Sequence, residues 1–266
     1  MIRIGISGAA GRMGRSIIEV CRGTDGVVLG GALERQGSAD LGRDAGELAG
    51  GAPLGVVVAP DLAGMADRID VLVEFTSPAA TVEHVRACRE HGLRMVIGTT
   101  GFDAAQRREI AEAARSIAIV QSPNMSIGVN LCFSLAEIAA RIVGKGAEIG
   151  VWEAHHAQKK DAPSGTALRL GEIVARTLGL DFDAAAARAA AMGDKSQQGS
   201  IRFESVREGD IVGDHTVSFT AADERVEITH RAFNRRTFAE GAVRAAKWVA
   251  TKDRGLYDMQ DVLGLR

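Results

Sequence analysis

The sequence predicts an α/β chain in two lobes, a doubly wound parallel-sheet lobe followed by an α+β lobe. Three observations carry that reading. Short β-favouring runs alternate with helical patterns from residue 2 to about residue 145. Three strand-like runs then follow one another after residue 200 with only turns between them. At 266 residues the chain also exceeds one average domain.

Residues 2–7, IRIGIS, read as a strand that stops at GAAGRMGR, after which SIIEVC has helical spacing. VVLGGALE (27–34) is a second strand ending at an acid, and the glycine-rich segment through Gly55 is mostly loop before VVVAP. DVLVEFTSP (70–78) leads into a helix through Val82, Val85 and Ala87, with Thr76 or Ser77 as its cap and Pro78 in its first turn. MVIGTTG repeats the strand-to-glycine transition. A helix over 103–115, the strand SIAIVQSP and a helix from Asn124 or Ser126 complete the alternation, which favours a parallel sheet.

The pattern changes after Gly146. EIGVWEAHH reads as a strand, DAPSGTALRLGEIVARTLG as a loop feeding a helix, and AAAARAAAMGDK as an alanine-rich mobile or helical connector. IRFESVREG, DHTVSFTAA and ERVEITHRA are three strands suited to antiparallel pairing. FAEGAVRAAKWVATK is a final helix, and GLYDMQDVLGLR a tail packed on the first lobe.

Composition narrows the function classes. With 32 Lys and Arg against 34 Asp and Glu, the net charge of −2 gives no general field for nucleic acid or an anionic membrane. Cys21, Cys88 and Cys132 lack CxxC spacing and sit among apolar neighbours, which suits a reducing, cytoplasmic compartment. The start MIRIGISG has no basic leader, and no apolar run approaches membrane-spanning length, so a soluble, unprocessed chain is expected. Glycine is the outlier, with 32 residues where average usage of about 7 % would give far fewer.

Position gives several of these glycines chemistry. Gly8-Ala9-Ala10-Gly11-Arg12-Met13-Gly14 places three glycines between a strand and a helix, where amides and the helix dipole favour a pyrophosphate. A plain tight turn is the competing explanation. Glu34, at the next strand end, can accept from an adenosine ribose, and Arg35 can pair with a further ribose phosphate, so the doublet permits NADH or NADPH. Arg12 either meets a phosphate or covers the loop, and Met13 is either core or contact. Gly98-Thr99-Thr100-Gly101 closes another strand. Gln121-Ser122-Pro123-Asn124-Met125-Ser126 closes a later one, where Asn124 either bonds a cofactor amide or caps the helix and Met125 packs beside the ring.

The densest chemistry is His155-His156-Ala157-Gln158-Lys159-Lys160-Asp161-Ala162-Pro163-Ser164-Gly165-Thr166. On an extended segment the two histidines point in opposite directions, and no ligand of zinc spacing follows, so no metal is expected. Ser164-Gly165-Thr166 opens a helix whose free amides suit a carboxylate, an ordinary N-cap being the alternative. His84, His91, His215 and His230 read as caps, surface residues or intersubunit contacts. Arg202, Arg207, Arg231, Arg235 and Arg236 read as contributors to a local anion pocket.

GAAGRMGR, ALER, GTTG, SPNMSIGVN, EAHHAQKKDAPSGTA and GLYDMQDVLGL run in order from Gly8 to Leu265, and with them the chain resembles the dihydrodipicolinate reductase family of lysine synthesis. The resemblance implies a Rossmann-type cofactor domain over 1–126 and 236–266, with an inserted substrate-binding and oligomerisation domain over 127–235. It implies that Gly8, Ala9, Ala10, Gly11, Arg12, Met13, Glu34, Arg35, Gly98, Thr99, Thr100, Ser122, Pro123, Asn124 and Met125 surround NADPH or NADH. It implies His155 as the proton donor and acceptor, Lys159 as proton donor and substrate cation, and His156, Gly165 and Thr166 as holders of a cyclic dicarboxylate. The implied reaction converts 4-hydroxy-tetrahydrodipicolinate to tetrahydrodipicolinate with loss of water, in a cytoplasmic homotetramer of the diaminopimelate route. Met125 and Gln158 depart from the family pattern, which often has an aromatic residue at the first position and in some members a histidine at the second.

Overall fold

The computed structural model describes residues 1–192 and 199–265. Its elements, in order, are β1 (Ile2–Ser7), α1 (Arg12–Arg22), β2 (Val27–Leu33), α2 (Ala45–Leu48), β3 (Val58–Ala59), β4 (Val71–Glu74), α3 (Pro78–His91), β5 (Arg94–Ile97), α4 (Ala104–Ala113), β6 (Ala118–Gln121) and α5 (Ile127–Val143). There follow β7 (Glu148–His155), α6 (Gly165–Leu178), α7 (Phe182–Met192), β8 (Ile201–Arg207), β9 (Gly213–Thr220), β10 (Arg225–Ala232), α8 (Arg236–Val249), β11 (Gly255–Tyr257) and α9 (Met259–Leu263). The chain divides into two compact units, Met1–Ile127 with Arg235–Arg266, and Gly128–Asn234.

The first unit is built on seven parallel strands in the order β11-β6-β5-β4-β1-β2-β3. A parallel sheet needs cover on both faces, so its strands are apolar on both. Val71 and Val73 join the core beneath α1 and α8, while Leu72 points into the other core with Met95, Val85 and Ile110. The expected cap is Ser77, whose hydroxyl accepts from the Ala80 amide ahead of Pro78. Asp103 closes a capping box on α4. The tail contributes more order than a packed extension, because β11 pairs in parallel with β6 and completes the sheet edge.

The second unit is a four-stranded sheet, β10-β9-β7-β8, covered on one face by α5 and α6. Val151, Val217 and Phe219 from the sheet meet Phe133, Leu170 and Val174 from the helices. The expectation of antiparallel pairing holds for β9 with β10 and with β7. It fails for β8, which runs parallel to β7. The reason is the connection: α6 and α7 separate the two strands and form a crossover, the only link long enough to bring a strand back in the same direction. The first residues of the alanine-rich connector are helical in α7, and its end, residues 193–195, lies outside the described residues.

Candidate active site

In the first unit, parallel strands bring their carboxyl ends to one edge of the sheet, where doubly wound sheets hold ligands. The glycine loop follows β1, Glu34 follows β2, Gly98–Thr100 follows β5 and Ser122–Met125 follows β6. Gly8 takes φ +72°, and its amide and that of Ala9 donate to the Leu33 carbonyl at 3.0 and 3.1 Å. A Cβ on Gly14 would lie 2.1 Å from the Gly8 carbonyl oxygen, so α1 can pack this closely only through glycine.

The loop's own amides are largely committed. Gly11 donates to the Gly8 carbonyl at 3.0 Å, and Ala10 donates to Glu34 Oε1 at 2.9 Å. Glu34 therefore braces the glycine loop in addition to any ligand role. No side chain caps α1 at Gly11, which leaves its first turn, beginning at Arg12 and Met13, without a capping acceptor. This arrangement fits a dinucleotide pyrophosphate. Arg12 and Arg35 are exposed, and Met13 is half-buried against the core. Partial burial and the nearby Arg12 lower the pKa of Arg235, which places two cations near one another in this unit.

At β5, a Cβ on Gly98 would overlap the Phe75 ring at 2.2 Å. Buried Thr99 accepts from the Thr76 amide through Oγ1 at 3.0 Å, and Thr100 is exposed. Ser122 Oγ donates to the Asn124 carbonyl at 2.9 Å, and Asn124 Oδ1 accepts from the Ser126 amide at 2.8 Å. Asn124 thus makes the local brace that opens α5. Pro123 is exposed. Met125 is only 2 % exposed and belongs to the core, so its side chain is committed to packing rather than held out for a ring.

In the second unit, the alternation of β7 turns Glu153 and His155 to the same side, and both are buried. His155 Nδ1 lies 2.5 Å from Glu153 Oε2. The other carboxylate oxygen accepts from Arg207 Nη2 on β8 at 2.6 Å and from the Ser164 amide at 3.3 Å. Arg207 also donates to the Asp161 carbonyl at 2.6 Å. Burial alone would raise the Glu153 pKa, but Arg207, Ser205 and His155 outweigh it and hold the group at about 2. Burial lowers the His155 pKa against the opposing pull of Glu153, with Lys159 and Arg207 adding to the downward shift.

His215, on β9, completes the cluster. Its ring stands edge-on to His155 with centroids 5.0 Å apart, and its Nε2 lies 3.1 Å from Ser164 Oγ. Burial, then the neighbouring His155, lowers its pKa to about 3, so this imidazole is neutral. The reading of His215 as a cap, surface or intersubunit residue is corrected by this placement: the β7–β9 register sets it opposite Glu153. The arginine pocket is corrected within this unit: Arg207 joins the cluster, whereas Arg202 and Arg231 lie with Glu204 and Glu227 on the sheet's other face; Arg235 and Arg236 belong to the first unit, where Arg236 pairs with Glu240.

Past β7 the chain turns through a bond from the Lys159 amide to the His156 carbonyl, and Lys159 Nζ meets Asp161 Oδ2 at 2.8 Å. His156 is half-buried and Lys160 exposed. Ser164 caps α6 through Oγ, as the Ala167 amide donates to it. Thr166 is buried in the first turn. A Cβ on Gly165 would meet nothing within 4 Å beyond its chain neighbours and its own helical turn, so packing does not require glycine there. Glu153, His155 and His215 present donor atoms within 4.8 Å of one another, close enough to share a cation. The carboxylate, however, is already neutralised by a guanidinium and engaged at both oxygens, which makes it a poor metal ligand. Among the described residues, no helix is long and apolar enough to cross a membrane.

Two family models match, "Dihydrodipicolinate reductase, N-terminus" over residues 2–125 and "Dihydrodipicolinate reductase, C-terminus" over residues 128–263. A relative from Methylococcus capsulatus, a 4-hydroxy-tetrahydrodipicolinate reductase, is 52 % identical over 268 residues, covering 100 % of this chain and 99 % of its own. Dipicolinate-bound dihydrodipicolinate reductase from Paenisporosarcina sp. TG-14 shares the fold with a TM-score of 0.77 at 24 % identity, over 98 % of this chain and 99 % of that one. GenD2 from gentamicin A biosynthesis, solved in complex with NAD, shares it with a TM-score of 0.64 at 14 % identity, over 99 % of this chain and 90 % of that one.

Proposed function

The chain belongs to the dihydrodipicolinate reductase family, and from that premise we propose how its residues carry out reduction of 4-hydroxy-tetrahydrodipicolinate to tetrahydrodipicolinate with loss of water. The observation that carries the reading is the cluster in the second unit: a buried imidazole pinned by a carboxylate, followed within four residues by Lys159 and within ten by the first turn of α6.

The first unit holds NADPH or NADH. Met13 and Arg12 offer first-turn amides to the pyrophosphate, with Gly8, Ala9, Ala10 and Gly11 shaping the approach. Glu34 receives ribose hydroxyls and Arg35 a ribose phosphate. Gly98, Thr99 and Thr100, with Ser122, Pro123, Asn124 and the Met125 backbone, line the nicotinamide end. The bound dinucleotide supplies a hydride to ring carbon 4.

The chain's own residues handle charge and protons. Loss of the hydroxyl on carbon 4 together with a proton from carbon 3, as water, gives the conjugated imine; hydride added at carbon 4 then pushes an electron pair through that system, and the ring regains a proton at carbon 3. Lys159, as an ammonium, stabilises that developing charge and gives the proton. His155 holds and exchanges a proton at Nε2. His156, Gly165 and Thr166 hold the carboxylates, with the α6 dipole favouring their charge. Gly165 leaves space there for the ligand.

We further propose a cytoplasmic homotetramer assembled through the second unit. Among the described residues of this unit, helices cover one face of the four-stranded sheet, and Trp152, Thr216 and Thr229 line its other face. Cys21 and Cys88 are free and buried, with thiol pKa values raised by burial, as suits a reducing compartment. The test supplies purified protein with the imine generated in situ and NADH or NADPH, and follows nicotinamide oxidation with identification of the product. No product from folded protein rejects the reading. Arg35→Ala is expected to weaken NADPH about tenfold relative to NADH, as lost pairing with one phosphate would, and equal losses would remove Arg35 from phosphate recognition.

A further inference from the structure

We propose that Glu153 is the positioning residue for His155, fixing the imidazole as the tautomer with Nδ1–H directed at the carboxylate and Nε2 bare for proton exchange. The inference rests on the reading of His155 as a proton-transfer group. It adds the buried machinery that makes one nitrogen of that ring chemically distinct from the other.

Geometry carries the argument. Glu153 is 0 % exposed and lies 2.5 Å from Nδ1, so an ionised carboxylate there can only accept, and Nδ1 must donate. The carboxylate cannot swing away, because Arg207 and the Ser164 amide hold its second oxygen. Among the described residues of this unit, the charged or titratable groups that bear on the ring are Glu153 on its own strand, Lys159 beyond it, Arg207 on β8 and neutral His215 on β9.

The Nε2 side is kept clear by a glycine. A Cβ at Gly213 would stand 3.0 Å from His155 Nε2, tighter than a settled contact allows. His215 blocks rotation of the ring by standing edge-on at 5.0 Å. With Nδ1 occupied and rotation blocked, Nε2 is the nitrogen that remains for substrate protons.

The carboxylate also opposes the fall in His155 basicity that burial causes. Replacing Glu153 by glutamine removes its charge while keeping its size, so His155 becomes less basic. In Glu153→Gln, kcat is expected to fall by about 10²-fold or more, while KM for both substrates changes less than tenfold. The acid limb of the kcat profile is expected to move to lower pH. Glu153→Asp, which restores the charge at a shorter reach, recovers the limb position and part of kcat.

A second measurement does not depend on turnover or on the folding of Glu153→Gln. Nitrogen-15 NMR of histidine-labelled native protein reads the tautomer directly, with Nδ1–H and a bare Nε2 expected for His155, assigned by loss of its signals in His155→Asn. An Nε2–H tautomer, or an acid limb unmoved in folded Glu153→Gln, overturns the positioning role. Full activity in His155→Asn instead overturns the proton-transfer reading on which it stands.

Discussion

Glu74 in the first unit and Glu153 in the second are both fully buried, and each lies 2.5 Å from a histidine Nδ1, His84 in one case and His155 in the other. Their remaining partners differ. Glu74 accepts from the hydroxyls of Thr76 and Thr81, and His84 also reaches Ser7 Oγ at 3.3 Å, so the group is framed by hydroxyls from β1, the turn after β4 and α3. Glu153 draws on a guanidinium 54 residues away and on the amide of a helix cap. The first arrangement braces a turn next to the glycine loop. The second keeps a charge inside the protein by setting a full opposite charge against it, which leaves the attached imidazole with a defined polarity.

That contrast can be broken in several ways, and the largest effects are expected on turnover. His155→Ala and Lys159→Ala should each lower kcat by about 10²–10⁴-fold while dinucleotide affinity, measured by titration, is retained. Comparable losses in His84→Ala would erase the distinction between the two pairs. Next, Arg207→Met strands the Glu153 charge and should cost about 3–5 kcal/mol in urea unfolding, part of which returns when Glu153→Gln is added. His84→Ala should cost less, about 1–3 kcal/mol, since Glu74 keeps its two threonines.

The smallest effect is a slope against pH. His215 is held at about 3 in the folded chain, so below its ordinary pKa of 6.5 the unfolded chain binds the extra proton and stability is lost as pH falls toward 3. The loss is at most about 1.4 kcal/mol per pH unit. Glu153, held at about 2, is a lowered carboxyl and adds a loss in the same direction below 4.5. Unfolding curves of His215→Asn between pH 6 and 5 should be flatter than those of the native chain. An unchanged slope would mean that His215 is already protonated in the fold.

Local patterns made much of the fold legible. Gly8, Gly11 and Gly14 between a strand and a helix foretold a tight crossing, and the crossing is tight enough to exclude a Cβ at Gly14. Ser77-Pro78 and Ser164 announced the starts of α3 and α6. The partners of His155 were less legible because they meet through sheet register: Arg207 and His215 lie 52 and 60 residues away in sequence and arrive from two different neighbouring strands. One signal was available in EIGVWEAHH. Glu153 occupies the same strand phase as Ile149 and Val151, so the alternation sends a carboxylate inward, where it must find a partner. The parallel placement of β8 was hidden for a related reason, since a strand's own residues do not state which neighbour it will join.

The discontinuous first unit also has a consequence for how the chain is made. Residues 128–234 form a continuous unit, whereas the first sheet needs α8 to cover one of its faces and β11 to complete its edge. At the usual rate of about 5–20 residues per second, on the order of ten seconds separate the emergence of β6 from that of β11. Throughout that interval the inserted unit can finish folding while Val96, Val120 and the edge of β6 wait uncovered, which makes the nascent first unit the segment most in need of chaperone protection.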